Sequence, residues 1–348
     1  MLKNPVHCHI ALYCYQLPLT GQAHSVKEGL FFILETEQQY SYGEYAPHPA
    51  TFQLPLATLE RALVQLCDAG SITVSKLSPP LQWGFVMALS WLFPEIGGWN
   101  FPNRLPIRVP LNGLITDLCT ALQPSTSVPP YSTFKLKIGR LPVDEEIALI
   151  QQFHQQYPDV QLRLDANQRL SFDQAKRLLT ALRDLPIEYV EDPTADSEEY
   201  PALFHQTGIP IALDEALSSS WLKTHSASPL DWLAALVVKP PRYGDLTTIR
   251  RLVATAHQHH IPLVLSAAYE STLTLHWLAL VHASLNPSVP AGLDTFRIFA
   301  EHLSPWEVRN GTVVLRSYRP EPSTLAWDRS HFLGRWYVQL YWDAQIHR

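Results

Sequence analysis

From residue 106 onward the chain repeats one unit, a short apolar strand followed by an amphipathic helix. "TFKLKIG" precedes "VDEEIALIQQFHQQY", "VQLRLDAN" precedes "SFDQAKRLLTALRDL", and "IEYVEDP" precedes a helix near 195–207. "IPIALDEA" precedes a short helix near 217–225, "LAALVVKPP" precedes "DLTTIRRLVATAHQHH", and "IPLVLSAAYE" precedes "STLTLHWLALVHASL". With "RVPLNGLI" at the front and "AGLDT" at the close, eight strands alternate with helices. Such alternation implies a parallel sheet, because each helix returns the chain to the same edge direction. Eight units in roughly 200 residues close into a (β/α) barrel. Only the link from the first strand to the second is too short and proline-rich for a full helix.

The chain has 348 residues, more than one ordinary core holds, so a barrel needs a companion. Residues 1–105 read as α+β. "HCHIALYCYQL" alternates like a strand, "GLFFILETE" and "QYSYGEYAP" form a hairpin, and "LATLERALVQLCDAG" and "PPLQWGFVMALSWLF" are helices. After residue 300, "HFLGRWYVQLYWDA" is aromatic and strand-like, and is expected to pack back on the first part. The expected fold is α/β: a modified (β/α)8 TIM barrel, (β/α)7β-like, over 106–299, with an α+β capping domain from 1–105 joined by about 300–348.

A net charge of −6 without a basic run argues against nucleic acid as a partner. No apolar run is long enough for a bilayer, and the N-terminus lacks a signal-peptide core, so a cytoplasmic protein is expected. Cys8, Cys14, Cys67 and Cys119 form no CxxC pair and read as buried thiols.

In such barrels chemistry sits at the C-terminal ends of the strands. Five successive strands end there in a charge: Lys137, Asp165, Glu191, Asp214 and Lys239, spaced 28, 26, 23 and 25 residues apart. Unrelated surface charges are the competing explanation, but strand interiors resist charge. Three carboxylates from neighbouring strands make an oxygen cage that suits Mg²⁺, with Mn²⁺ as a substitute, and the absence of His and Cys argues against zinc. A lysine stands on either side of the trio, an arrangement suited to an anion forming between them.

Lys135 and Lys137 alternate with Phe134, Leu136 and Ile138, so both lysines share one face, expected to be the barrel interior. Only about one free lysine in 2,500 is neutral at pH 7. A second ammonium at Lys135 and a nearby divalent ion both depress the pKa of Lys137 and fit it as a base. Lys239 is either a second base or a fixed positive charge.

The motifs "KLK" (135–137), "LDAN" (164–167), "VEDP" (190–193), "LDEA" (213–216) and "VVKP" (237–240) resemble those of the enolase superfamily, in its muconate-lactonizing subgroup. Within it, "YGEYAPHP" (42–49), "LRLDANQRLSF" (162–172), "SAAYESTLTL" (266–275) and "GLDTF" (292–296) resemble the o-succinylbenzoate synthase family. That resemblance implies Asp165, Glu191 and Asp214 as metal ligands, Lys137 as the base alpha to a substrate carboxylate and then the acid for departing hydroxide, and Lys239 as the cation opposite. The implied reaction is a syn-dehydration of 2-succinyl-6-hydroxy-2,4-cyclohexadiene-1-carboxylate to 2-succinylbenzoate through an enediolate, in menaquinone or phylloquinone synthesis. It also implies that Ser266 and Gly292 either bind the substrate or stand just behind the residues that do. Where the family often has a run of serines, this chain has Ser266-Ala267-Ala268, so a substrate carboxylate must be met there by backbone N–H groups or Ser266.

Several readings stay open. Arg163 shares parity with Asp165 and either binds the succinyl carboxylate or pairs with a neighbouring acid. Asn167 is either beside the metal or a strand-end turn residue. Glu215 bonds a lysine or forms a local salt bridge. The loop 20–29 either folds over the barrel mouth or is a solvated connection. An N-acylamino-acid racemase, a dipeptide epimerase or a cycloisomerase would use the same lysine pair, and a non-catalytic barrel is the remote alternative.

Overall fold

The computed structural model describes residues 5–20, 25–46, 56–93, 99, 101–123, 129–217, 230–285 and 288–341. The chain opens with an antiparallel meander: β1 (Val6–Pro18), β2 (Val26–Glu35) and β3 (Tyr40–Tyr45). β1 starts with Val6, Cys8 and Ile10 buried while His7 and His9 face out, the alternation of a half-buried strand. Next come α1 (Leu56–Asp68), β4 (Ser71–Thr73) and α2 (Pro79–Leu92). All but two of the 14 residues of α2 are buried, as a helix apolar on every side requires.

β5 (Ile107–Pro110) and β6 (Gly113–Ile115) divide what reads in sequence as one first barrel strand. β5 leaves the barrel sheet and pairs with the later segment Thr312–Leu315, and only β6 pairs with the next barrel strand. The barrel continues through β7 (Thr133–Lys137), α3 (Val143–Gln156), β8 (Gln161–Asp165), α4 (Phe172–Leu182) and β9 (Ile187–Glu191). It is completed by α5 (Tyr200–Thr207), β10 (Ile211–Leu213), β11 (Leu233–Val238), α6 (Leu246–Gln258), β12 (Leu263–Leu265) and α7 (Thr272–Leu285). Leu118–Ala121 is a single helical turn in the first link. The helix expected near 217–225 falls, from 218 on, outside the described residues, as do 21–24 of the loop 20–29.

β6 to β12 form one parallel sheet in sequential order. "AGLDT" makes no strand of its own. Ala291 bridges to Leu111 and Gly292 to Ser266, and these two bridges close the sheet on itself. α4 shows why the helices form: a capping box joins Ser171 and Gln174, and Ala175, Leu178, Leu179 and Leu182 make one buried stripe. Inside the barrel Tyr189, Ala212, Ala235, Val237 and Val264 form a small core separate from the main one.

β13 (Val308–Arg309) and β14 (Thr312–Leu315) complete the small sheet with β5. β15 (Ser330–Tyr341) pairs antiparallel with β1 and parallel with β4, so the tail does rejoin the first sheet. On the barrel side α2 packs against the turn Pro240–Tyr243, and its Trp83 meets Trp277 of α7 edge to face at 5.1 Å. The four cysteines are free; Cys8 and Cys67 are buried, but Cys14 is half-buried and Cys119 exposed, contrary to the expectation for all four.

Candidate active site

The strand register stacks the charges in two rows. Lys137 stands opposite Asp165, and Asp165 opposite Glu191, at the strand ends; one step below, Lys135 stands opposite Arg163, and Arg163 opposite Tyr189. Because side chains alternate, both rows face the barrel interior. Lys135, Lys137, Asn167, Lys239, Ser266 and Gly292 all line one cavity of about 490 Å³, of the size that takes a small organic ligand.

The upper row is tied together by charge. The Lys135 ammonium lies 2.7 Å from both carboxylate oxygens of Glu191 and 2.8 Å from Asp165 Oδ2. Lys137 donates to Asp165 Oδ2 at 2.6 Å and to Asn167 Oδ1 at 2.8 Å. Lys239 donates to Asp214 Oδ2 from the other side. Asn167 reaches this position by turning left-handed at φ 45°, a conformation asparagine tolerates, and its amide also donates to Glu215 Oε1. Asn167 is thus a turn residue that also holds the lysine.

Burial pushes the Lys137 pKa down, the Lys135 charge pushes it further down, and Asp165 opposes both. Burial alone would also lower Lys135, but Asp165 and Glu191 hold it well above the ordinary lysine value. Burial, then the charge of Asp165, pushes Glu191 up to about 8. A buried carboxylate raised in this way marks a site short of positive charge. Around Glu191 itself the carboxylates of Asp165 and Asp214 raise its pKa, while Lys135 and Lys239 oppose them. Carboxylate oxygens of Glu191, Asp214 and Glu215 lie within 4.8 Å of one another. This all-oxygen donor set fits a hard divalent cation. Asp165 Oδ2 is turned toward the two lysines, and Glu215 adds a carboxylate beside Glu191 and Asp214 that the strand-end pattern does not include.

Two readings left open by the sequence narrow to one alternative each. Arg163 is fully buried below the cavity: its guanidinium forms a two-pronged pair with Glu188, at 2.7 and 3.1 Å, and donates to Asn112 Oδ1 and Pro290 O. It pairs with an acid and plugs the barrel floor, with four of its five N–H groups engaged there and none of its atoms lining the cavity. The backbone N–H groups of 266–268 are also taken, by Val238 O, Gly292 O and Glu270 Oε2. They close the barrel wall, so the Ser266 hydroxyl, which lines the cavity and can rotate, is the one group of 266–268 able to turn toward a ligand. It donates to Gly292 O at 3.2 Å, and a Cβ on Gly292 would come within 2.6 Å of Ser266 Oγ, so residue 292 must be glycine for the wall to close.

Other residues escaped notice in sequence. Arg242, three positions after Lys239, donates to both the carboxylate and the carbonyl of Asp214. The buried Glu146 accepts from the N–H groups of Gly139, Arg140 and Leu141, folding the turn after Lys137 back onto α3. An acid in the first turn of a helix looks ordinary in a sequence, and only the close return of the loop gives it this task.

A family described as enolase C-terminal domain-like matches residues 123–320. The o-succinylbenzoate synthase of Edwardsiella ictaluri is 31% identical over 308 residues, covering 85% of this chain and 93% of that one. That of an Enterobacter species is 30% identical over 304 residues, covering 84% and 92%. This chain belongs to the o-succinylbenzoate synthase family of the enolase superfamily. Solved structures agree on the fold. MenC from Desulfotalea psychrophila superposes with a TM-score of 0.67 at 20% identity, covering 89% of this chain and all of that one. A dipeptide epimerase from Cytophaga hutchinsonii, solved with Mg and a dipeptide, gives 0.74 at 16% identity, covering 96% and 100%. It is a barrel enzyme with a capping sheet. Among the described residues no helix is long and apolar enough to cross a membrane.

Proposed function

We propose that the cavity dehydrates 2-succinyl-6-hydroxy-2,4-cyclohexadiene-1-carboxylate to 2-succinylbenzoate, making the chain a hydro-lyase of menaquinone or phylloquinone synthesis. The observation that carries this is the placement of Lys137 and Lys239 on different walls of one cavity, each anchored to a strand-end aspartate. Asp165, Glu191 and Asp214 are the proposed holders of a divalent ion, Mg²⁺ with Mn²⁺ as a substitute, and Glu215 is close enough to join them. Bound there, the ion supplies positive charge to the substrate carboxylate.

Lys137, with its pKa lowered by burial and by Lys135, takes the proton from the carbon alpha to that carboxylate, and Asn167 orients its amine. The electron pair of the broken C–H bond enters the carboxylate as an enediolate, facing the Lys239 ammonium across the cavity. Those electrons then expel hydroxide from the adjacent carbon, Lys137 returns its proton to it, and water leaves. Proton and hydroxide depart on the same face because one lysine serves both. Arg140, Arg169 and Arg242 add positive charge around the cavity, which suits a dianionic substrate.

Turnover of the cyclohexadiene by the purified protein, with and without EDTA, tests the assignment. Aromatic product that forms only with the divalent ion, and a Lys137→Ala protein that is folded but slower by about 10³-fold or more, are expected. Racemisation of N-succinyl amino acids without dehydration would assign the lysine pair to an isomerase, and metal-independent absence of both would leave a binding protein.

A further inference from the structure

We infer that Glu44 is a positioning residue: from the capping sheet it fixes the start of α7 and so holds the cavity-lining segment 266–270 in place. This rests on the reading of that cavity as the active site. Glu44 lies on β3, is 3% exposed, and belongs to the other sheet by sequence and by pairing. It comes close because β3 and α2 meet at two glycines. A Cβ on Gly84 would stand 2.6 Å from Glu44 O, and one on Gly43 would stand 2.5 Å from Gly84 O.

The carboxylate is used at both oxygens. Oε1 accepts from the Tyr15 hydroxyl and, at 2.9 Å, from the Ser271 N–H. Oε2 accepts from the Thr274 N–H at 3.3 Å and from the Thr274 hydroxyl at 2.7 Å. Ser271 begins α7: its carbonyl accepts from Leu275 N–H and its hydroxyl from Leu273 N–H. In a capping box the acid three residues into the helix accepts the N–H of the capping residue. Here residue 274 is threonine, and Glu44 supplies that carboxylate from the capping sheet.

The segment upstream needs a rear anchor. Tyr269 lines the cavity and adopts φ 68°, a left-handed conformation costly for a bulky side chain. Such strain persists only where both ends are over-determined. At the front, Ser266 and Ala267 donate to Val238 O and Gly292 O; at the rear, Ser271 donates to Glu44. Loss of the rear anchor frees Tyr269 to relax and moves the wall against which a ligand packs, while the lysines and acids on β7 to β11 stay in place.

Glu44→Gln keeps the shape but sets an NH₂ against N–H donors. Amide exchange at Ser271 and Thr274 should quicken about tenfold, the size of a lost cap. KM for the cyclohexadiene should rise about tenfold, with kcat changed by less than about threefold, because the contact wall moves and the lysines do not. Tyr42→Phe, which removes a buried bond to Pro320 O elsewhere in the capping sheet, is the control for general destabilisation and should lower Tm without moving KM. A Glu44→Gln protein with lowered Tm but parental exchange at 271–274 and parental KM would overturn the inference. If Glu44→Gln does not fold, Thr274→Val removes one of the four bonds and should shift both readouts in the same direction; unchanged values there would also overturn it. Should the parent itself fail to turn over the cyclohexadiene, the proposed reaction falls, and the exchange data still decide the role of Glu44.

Discussion

His282 on α7 is buried beneath the barrel wall, and its hydrogen bonds fix its charge. The Leu265 N–H points at Nδ1 at 3.4 Å, so Nδ1 must accept, and Nε2 must then carry the proton it donates to Val289 O at 2.7 Å. A second proton on Nδ1 would face an N–H. Burial chiefly, and the nearby Arg163 charge, lower the pKa from 6.5 to about 4, against the pull of Val289 O. Because the folded value lies below the unfolded one, the stabilisation is complete above pH 6.5 and is lost as the pH falls through 4. A shift of that size is worth about 3.4 kcal/mol in full, and about 2 kcal/mol of it is gone at pH 5. His282→Gln keeps an amide able to donate to Val289 O and removes the titration. Urea unfolding followed by tryptophan fluorescence, for parent and variant at pH 7.5 and pH 5, isolates the contribution. The gap between the two proteins should narrow by about 2 kcal/mol on acidification. A gap that is the same at both pH values would refute the argument that His282 is held neutral by its surroundings.

Other predictions concern the cavity and the floor. Glu191→Gln should weaken divalent-ion binding by about 100-fold or more in calorimetry, since it removes a charged oxygen donor and leaves Lys135 with Asp165 alone; unchanged binding would move the ion elsewhere. Arg163→Met should cost about 3 kcal/mol in urea unfolding, because Asn112 and Pro290 O lose a buried donor while Glu188, partly exposed, can hydrate. Its effect on KM should be small, since the guanidinium does not reach the cavity, and a large KM effect would restore Arg163 as a ligand contact. His276 is also buried and lowered to about 4, chiefly by burial, so the His282→Gln variant should itself still lose stability between pH 6.5 and 4 in the same urea experiment.

What could be read from the chain and what could not divides along a physical line. Strand and helix periodicity are local, so β7 to β12, their helices, and the inward face carrying Lys135 and Lys137 follow from alternation alone. Charges one βα unit apart at strand ends must converge once the sheet closes, so the spacing of Lys137, Asp165, Glu191, Asp214 and Lys239 already points them toward one rim. Partner choice is not local. Arg163 has the parity of a cavity residue and shares a row with Lys135, yet its guanidinium turns to the floor, where Glu188, Asn112 and Pro290 O engage it. "RVPLNGLI" reads as one strand, and only pairing with Thr312–Leu315 shows that its first half serves another sheet. Glu44 lies more than 200 residues from the helix it caps, and no periodicity spans that distance; the approach of β3 to α2 through Gly43 and Gly84 decided it. Periodic burial is written residue by residue, whereas each hydrogen bond across the fold depends on how closely two surfaces, built independently, come to rest.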